Sequence, residues 1–147
     1  MDILADQVRG IVRREIPRGA TLAVGLSGGI DSVVLLHVLL RRLRIAPARI
    51  SVIHVNHRIS PHAGRWAAFC RRLCRDLGVT LRVVKVDVPR GNSTEAAARR
   101  ARYAVFASCG ADVLVLAHNR DDQAETVLLQ LLRGAGPRGL AAMPVLR

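Results

Sequence analysis

Apolar runs and amphipathic stretches alternate along this chain, and the alternation limits its possible folds more than any other feature. Runs with the length and composition of buried strands cover residues 21–26, 49–57, 80–88 and 112–118. Stretches with apolar residues at three- and four-residue spacing predict helices over residues 3–16, 30–43, 63–78, 94–110 and 121–134. Strands separated by helices in this way predict an α/β fold with a parallel sheet.

The connections also predict the order of the strands. Right-handed crossovers in a doubly wound arrangement give the order 3-2-1-4, in which the first and fourth strands are neighbours. Ligands of such sheets bind where the order reverses, between those two strands. The segments that follow them, SGGIDS and AHNRDDQAET, are therefore predicted to face each other across one crevice.

Composition narrows the class of protein. A length of 147 residues is enough for one domain with a sizeable core. The longest apolar stretch, VVLLHVLL, is too short to span a bilayer, and the first residues lack the apolar segment of a signal peptide. We therefore expect a cytoplasmic protein with no membrane association.

The chain is strongly basic, with a formal net charge of +12. Its 23 basic residues are 22 arginines and a single lysine, against 11 acidic residues. Such a charge favours a polyanionic partner, with nucleic acid as the first candidate. A genome rich in arginine codons is an alternative explanation for the preference for arginine, but not for the excess of basic over acidic residues.

The three cysteines, Cys70, Cys74 and Cys109, are odd in number and unevenly spaced, which argues against a disulfide framework. Cys70 and Cys74 share one helix face with Trp66 and Phe69. That spacing is typical of a buried core stripe, so we predict that these side chains pack against the sheet.

The segment SGGIDS stands where the first strand ends and a helix begins. Gly28 and Gly29 allow backbone angles at which amide N–H groups converge on an anion, and Ser27 and Ser32 add hydroxyl donors. The helix that begins near Ile30 adds the positive end of its dipole. The segment therefore predicts a phosphate-binding loop, although neither the Walker pattern nor G-x-G-x-x-G occurs in the chain.

Carboxylates lie in both segments of the predicted crevice. Asp31 lies inside the anion site, where a carboxylate needs a cation between itself and the phosphates, so we predict that it is a Mg²⁺ ligand. Asp121, Asp122 and Glu125 are further candidate metal ligands, and His118 is a candidate phosphate contact. The structural alternatives are an acid that complements the helix dipole at Asp31 and a capping box formed by Asp122 and Glu125.

The motif HVNHR ends the second strand at the same edge of the sheet, so His54, Asn56 and His57 are predicted to border a bound nucleotide. The two histidines lack a third ligand at a spacing typical of zinc. Further along, Glu95 and Arg99 lie one helical turn apart. A structural and a functional role explain that pair equally well.

Together these motifs resemble a known enzyme family. SGGIDS is similar to the pyrophosphate-loop motif of the N-type ATP pyrophosphatases, which cleave ATP between the α- and β-phosphates. Within that superfamily, HVNHR, EAAARRARY and AHNRDDQAETVLLQLLRGAGPRGL resemble the tRNA(Ile)-lysidine synthases, over residues 20–143. The resemblance implies a Rossmann-like three-layer sandwich of the adenine nucleotide alpha hydrolase type. It also implies that residues 1–147 form one domain, truncated at its C-terminal end and lacking the family's C-terminal tRNA-binding domains.

The resemblance implies a reaction. The family adenylates the carbonyl oxygen at position 2 of the wobble cytidine in the CAU anticodon of tRNA(Ile), with release of pyrophosphate. The side-chain amine of free L-lysine then displaces AMP to give lysidine. ATP, Mg²⁺, free lysine and tRNA(Ile) are thus the implied substrates and ligands.

The same resemblance implies roles for single residues. It implies that the catalytic residues are Asp31, Asp122, Glu95 and Arg99. It implies that the ATP-binding residues are Ser27, Gly28, Gly29, Ile30, Asp31 and Ser32, to which the positions at the strand ends add His54, Asn56 and His118. It implies that Asp31 and Asp122 are metal ligands, with Asp121 as a further candidate, and helical spacing adds Glu125. It implies that Arg102, Arg133 and Arg138 contact tRNA or substrate. The chain departs from the family pattern at Arg58-Ile59-Ser60, where Gly-Leu-Arg is usual.

Two alternatives stay open. One is a tRNA thiolase of the same superfamily, which predicts a catalytic pair of cysteines. The other is a module that binds an adenine nucleotide without turnover, which would not need the second acidic cluster.

Overall fold

Every helix and strand predicted from the sequence is present in the computed structural model, which describes residues 2–88 and 94–137 without the side chains of Glu95 and Arg120. The helices are α1 (Ile3–Glu15), α2 (Ile30–His37), α3 (Ala63–Leu77), α4 (Thr94–Ala107) and α5 (Arg120–Leu132). The strands are β1 (Leu22–Gly25), β2 (Ile50–Asn56), β3 (Thr80–Lys85) and β4 (Val113–Val115). A π-helical turn, Val38–Arg42, continues α2.

The four strands form one parallel sheet in the order β3-β2-β1-β4. Val24 of β1 pairs with Val52 of β2 on one side and with Val115 of β4 on the other. The predicted order 3-2-1-4 is therefore confirmed. β1 and β4 are neighbours, and their carboxyl ends lie at the same edge of the sheet.

Alternate residues of β1 pack in two separate hydrophobic clusters, because successive side chains of a strand point to opposite faces of the sheet. Leu22 and Val24 pack in a cluster with Leu36 of α2 and Cys70 of α3. Ala23, on the other face, packs in a second cluster that includes Phe106 of α4. The sheet is thus covered on both faces, which confirms the predicted three-layer sandwich.

The predicted core stripe of α3 is right at the cysteines and wrong at Trp66. Cys70 and Cys74 are fully buried, and burial raises the pKa of both thiols to about 11. Trp66, at the same helical spacing, is 48% exposed. It lies in the first turn of α3 and packs against the loop at Gly28 rather than against the sheet. The helix ends as predicted at Gly78, which has a φ of 72°.

The chain forms two compact units, one ending at Leu116 and one beginning at Ala117. The first contains the whole sheet with α1 to α4, and the second contains α5. Within residues 2–88 and 94–137, no helix is long and apolar enough to cross a membrane.

Asp112 joins the start of β4 to the start of β1. Its Oδ2 accepts hydrogen bonds from the backbone N–H of Thr21 at 2.8 Å and from the Thr21 hydroxyl at 2.7 Å. The backbone N–H of Asp112 donates to that hydroxyl oxygen at 3.1 Å. The two bonds from Thr21 lower the pKa of the Asp112 carboxyl from its ordinary value of 3.8.

We therefore predict that Asp112→Ala lowers the urea midpoint of unfolding at about pH 7. Because the folded-state pKa is lowered, the stabilisation is present above pH 3.8 and is lost as the pH falls through that lowered value. The difference between parent and variant should accordingly shrink in acid. Circular dichroism during urea titration measures both midpoints. Asp87→Ala, at an exposed ion pair with Arg58, is the control. Equal midpoints for parent and Asp112→Ala near neutral pH would contradict the prediction.

Candidate nucleotide-binding site

The loop after β1 leads directly into the N-terminus of α2. Leu26 is buried, and its backbone N–H donates to the carbonyl of Ile53 at 2.9 Å, which continues the sheet into the loop. The N-cap residue of α2 is Gly29, and no side chain caps this helix end. The N–H groups of a helix's first turn have no partners within the helix, and they are the ordinary binding site for a phosphate.

Gly28 is required here for two reasons. Its φ is 91°, a conformation that side-chain-bearing residues rarely adopt. A Cβ at this position would lie 3.0 Å from Cε3 of Trp66 and 3.4 Å from Sγ of Cys70. The loop backbone thus lies directly against α3. Helical spacing predicts the angle of Trp66 around α3 but not this contact, so the sequence pattern missed Trp66 as part of the site.

The two serines of the loop form a chain of hydrogen bonds. The Ser32 hydroxyl donates to the carbonyl of Gly29 at 2.9 Å. Since a hydroxyl has one proton, the 3.1 Å contact between the two serine oxygens uses Ser27 as donor. Ser27 Oγ also accepts from the N–H of Gly29 at 3.2 Å. Ser32 is buried while Ser27 is exposed, so rotation of Ser27 alone would present a hydroxyl donor to an anion.

His54 and Asn56 support the loops at this edge of the sheet. His54 is buried, and its Nδ1 is 2.8 Å from the carbonyl oxygen of Leu26, to which it donates. Asn56, also buried, accepts the N–H of Arg58 at 2.9 Å through Oδ1. Arg58 has a φ of 56°, the conformation that favours glycine, which explains why the family pattern has glycine at this position. The predicted contacts of His54 and Asn56 with a nucleotide stay predictions.

Two half-buried side chains from β2's end and α4 carry unpaired nitrogen atoms. Within the described part of the chain, His57 Nδ1 and Arg102 Nε are buried without a hydrogen-bond partner. Burial, the positive charge of Arg102 and then the charge of His54 lower the pKa of His57 from 6.5. Unpaired buried polar groups are rare in proteins and are often found where a ligand binds. Arg99 is exposed, with Cζ 5.4 Å from the centroid of the Tyr103 ring.

In the second unit, α5 begins with a capping box between Asn119 and Asp122. Asn119 Oδ1 accepts the N–H of Asp122 at 2.8 Å, and Asp122 Oδ2 accepts the N–H of Asn119 at 2.9 Å. The alternative of a box between Asp122 and Glu125 was therefore wrong, because the helix begins at Arg120 and places Asp122 at its third position. His118 Nδ1 lies 3.7 Å from the same Oδ2.

Most of the remaining candidate residues are exposed. Asp31 is exposed in the first turn of α2, and Asp121 and Glu125 are exposed on α5. Among residues 2–88 and 94–137, no group of three or more histidine, cysteine or acidic side chains is placed to hold a metal ion. Arg133 is exposed just after α5, and Arg138 lies outside the described residues, as does the side chain of Glu95. The shared crevice stays a prediction.

We predict that Gly28→Ala weakens nucleotide binding because the new methyl group meets Trp66 and the left-handed φ is strained. Isothermal titration with Mg·ATP should show a loss of affinity of about 5- to 150-fold, which corresponds to the ~1–3 kcal/mol typical of such strain. Gly136→Ala, where a Cβ meets no atom within 4 Å, is the matched control. Unchanged affinity in a folded Gly28→Ala variant would contradict the packing described.

The imidazole of His57 should titrate below pH 6.5 in an NMR titration. The folded protein favours the neutral imidazole of His57. The contribution of His57 to stability is therefore present above pH 6.5 and is lost as the pH falls through the lowered pKa. Arg102→Gln removes one cause and should raise the pKa of His57, while burial keeps it below 6.5. Arg99→Gln is the control, and an equal effect of both variants would contradict the assignment.

Comparison with known proteins places this geometry in a family. Residues 4–147 match the family model of the PP-loop domain. The tRNA(Ile)-lysidine synthase of Chromobacterium violaceum is 54% identical over 127 residues, which cover 84% of this chain and 29% of that protein. The enzyme of the same name from Neisseria meningitidis serogroup B is 53% identical over 130 residues, covering 88% and 30%. That of Xanthomonas campestris pv. campestris is 46% identical over 147 residues, covering 97% and 33%.

A solved structure shares the fold. The U34-tRNA thiolase NcsA from Methanococcus maripaludis, with its 4Fe-4S cluster, matches with a TM-score of 0.73 at 24% identity, over 95% of this chain and 51% of that one. The curated relatives are longer still, and this chain spans about a third of their length. The resemblance drawn from the motifs is confirmed. With a glycine loop at a helix N-terminus and a family match over nearly all its residues, the chain belongs to the PP-loop domain family.

Proposed function

We propose that this chain is the ATP-binding part of a tRNA(Ile)-lysidine synthase. The reaction ligates the side-chain amine of lysine to the wobble cytidine of the CAU anticodon, through an adenylated cytidine. The observation that carries the proposal is the uncapped N-terminus of α2 behind Gly28 and Gly29, in a chain about half identical to proteins of that name. ATP, lysine and tRNA occur together in the cytoplasm, which is the location we propose.

The chemistry explains the need for a pyrophosphate site. The carbonyl carbon of cytosine is a poor electrophile and its oxygen a poor leaving group, so lysine cannot displace it directly. Attack of that oxygen on the α-phosphate of ATP forms an adenylate and releases pyrophosphate, and AMP then leaves as lysine attacks. Negative charge grows on the pyrophosphate as the α–β bond breaks. Donors fixed in advance around that charge lower the barrier.

The loop residues supply those donors. The N–H groups of Gly29, Ile30 and Ser32 begin α2 and would bind phosphate oxygens. The Ser27 hydroxyl would leave its bond to Ser32 and turn to the same anion. The bond from His54 to the Leu26 carbonyl would hold the loop in place. In this proposal His54 positions the loop, and contact of His54, Asn56 and His118 with the nucleotide stays a prediction.

Carboxylates are the ligand type that Mg²⁺ prefers. That ion keeps several waters and takes one or two protein carboxylates together with substrate phosphates. Separate exposed carboxylates suit an ion that arrives with ATP. When bound, Mg²⁺ would neutralise phosphate charge. We propose Asp31 and Asp122 as its ligands, with Asp121 and Glu125 as further candidates. The N–H of Asn119 and Nδ1 of His118 both contact Oδ2 of the Asp122 carboxylate.

The side chains of α4 are proposed to meet the cytidine. Arg102 and His57 carry buried nitrogen atoms without partners, which a polar substrate would satisfy. Glu95 and Arg99 belong to the same helix and are proposed to act on the activated intermediate. Arg133 and Arg138 are proposed to contact tRNA phosphates.

The cysteines do not favour the thiolase alternative. A sulfur-transferring cysteine acts as a thiolate. Cys70 and Cys74 have thiols with pKa values raised to about 11, in the core on one face of the sheet. Cys109 packs on the opposite face. The three are not brought together as a catalytic pair.

Transfer of radiolabelled lysine tests the proposal. The protein would be this chain, and also a chimera in which it replaces the matching part of the Neisseria meningitidis relative. With ATP and Mg²⁺, we expect label in a tRNA(Ile) transcript with the CAU anticodon and none in a matched transcript with GAU. A folded chimera that binds tRNA but transfers no lysine would contradict the proposal. It would leave a nucleotide-binding module as the remaining function.

We predict that Asp31→Asn lowers pyrophosphate release by the chimera at least about 100-fold, the loss typical when one group that stabilises transition-state charge is removed. The fold should persist, because Asp31 is exposed at the start of α2. Phosphate-detection assays measure the rate, and thermal unfolding checks the fold. Asp76→Asn on α3 is the matched control. Full activity of Asp31→Asn would remove the proposed metal ligand.

A further inference from the structure

The outer face of α3 contains a groove that none of the proposed roles uses. Its volume is about 790 Å³, and it is lined chiefly by His62, Arg65, Trp66, Phe69, Arg72 and Arg75. These residues recur every three or four positions, so they share one side of the helix. The buried residues of α3, Ala67, Cys70 and Cys74, lie on the opposite side. The groove is therefore open to solvent along the helix.

The groove is positively charged. Arg65, Arg72 and Arg75 are exposed, and within residues 2–88 and 94–137 none of them forms an ion pair. Arg71 on the same helix adds a further positive charge, and Asp76 is the one acidic residue of α3. Ten residues separate Arg65 from Arg75, which is about 15 Å of helix. A nucleic-acid strand carries several phosphates over that length.

Trp66 adds an aromatic surface to this charge. It is the only tryptophan of the chain, and 48% of its surface is exposed beside the arginines. A large exposed aromatic ring next to unpaired arginines is the combination that binds single-stranded nucleic acid, because every base has a face that stacks. The formal net charge of +12 favours a polyanion such as RNA over a protein partner as the occupant of this groove.

We propose that this groove of α3 binds a single-stranded segment of RNA, with its arginines on phosphates and Trp66 stacked on a base. The proposal rests on the proposed function only where it names that RNA as the tRNA substrate. The same indole touches Gly28, so a base stacked on Trp66 would lie close to the pyrophosphate loop. RNA binding and ATP binding would then both change the environment of one side chain.

The intrinsic fluorescence of Trp66 tests the groove directly, since no other tryptophan contributes. A tRNA(Ile) transcript added to the chain should quench it. Binding measured over a salt series should lose about 2–3 from the slope of log K against log salt when Arg65, Arg72 and Arg75 are all changed to glutamine. Arg13, Arg18 and Arg41, exposed residues outside the groove, changed together to glutamine form the matched control and should lose less.

Trp66 is tested by two substitutions, with binding followed by filter retention. Trp66→Ala should weaken RNA binding about tenfold, and Trp66→Phe should restore most of it, because a base stacks on phenylalanine as well. Circular dichroism confirms that each variant folds. Should the triple arginine variant fail to fold, Arg72→Gln alone should still reduce the slope by about 0.7–0.9.

Three results would overturn the proposal. They are equal slopes for the groove and control variants, no fluorescence change when RNA binds, and quenching by anionic phosphatidylserine vesicles but not by RNA. The proposed function is tested separately from the groove. Groove binding without lysine transfer by the chimera would reject lysidine synthesis alone, and lysine transfer with equal slopes would reject the groove alone.

Discussion

The contact between Gly28 and Trp66 is the constraint on which the candidate site depends. The loop after β1 lies so close to α3 that a Cβ at Gly28 would be 3.0 Å from the Trp66 ring, and the left-handed φ of Gly28 turns the chain into α2. His54 holds the preceding carbonyl, at Leu26, from the buried side. Trp66 of α3 and His54 of β2 thus hold the loop on two sides. We propose that the N–H groups at the start of α2 form a phosphate site that needs little ordering when the ligand binds.

The architecture could be predicted because its signals are local. β1 is apolar on both faces, as a central parallel strand must be, and the crossover rule then restricts the order of the strands. The depth to which each helix side chain is buried could not be predicted in the same way. Trp66 and Cys70 have the same helical spacing, yet one is half exposed and the other is buried, since spacing sets an angle and not a distance from the sheet. The start of α5 was misjudged for a related reason. Asn119 and Asp122 are both good capping residues, and only the backbone shows which of them begins the helix.

The backbone of the candidate loop could be predicted from its glycines, whereas the arrangement of long side chains could not. Gly28 has a left-handed φ and Gly29 is the N-cap of α2, as the segment SGGIDS predicts for a turn into a helix. His57 and Arg102 lie far apart in the sequence, yet each has a buried nitrogen atom without a hydrogen-bond partner among the described residues. They come together because α4 packs beside β2, and no sequence pattern predicts that packing. The left-handed conformation of Arg58, where the resemblance implies glycine, also has no sequence signal, and the Arg58 N–H is held by Asn56 Oδ1. A strained arginine at that point shows that the turn is determined by its surroundings.

The central claim is that the amides at the start of α2 bind the phosphates of ATP, and NMR of this 16.0 kDa chain measures it directly. Backbone amide shifts would be recorded while pyrophosphate, and then Mg·ATP, is added. The account predicts that the largest changes with both ligands occur at Gly29, Ile30 and Ser32, since these N–H groups gain a charged partner. Binding of either ligand with those three amides unmoved would contradict it.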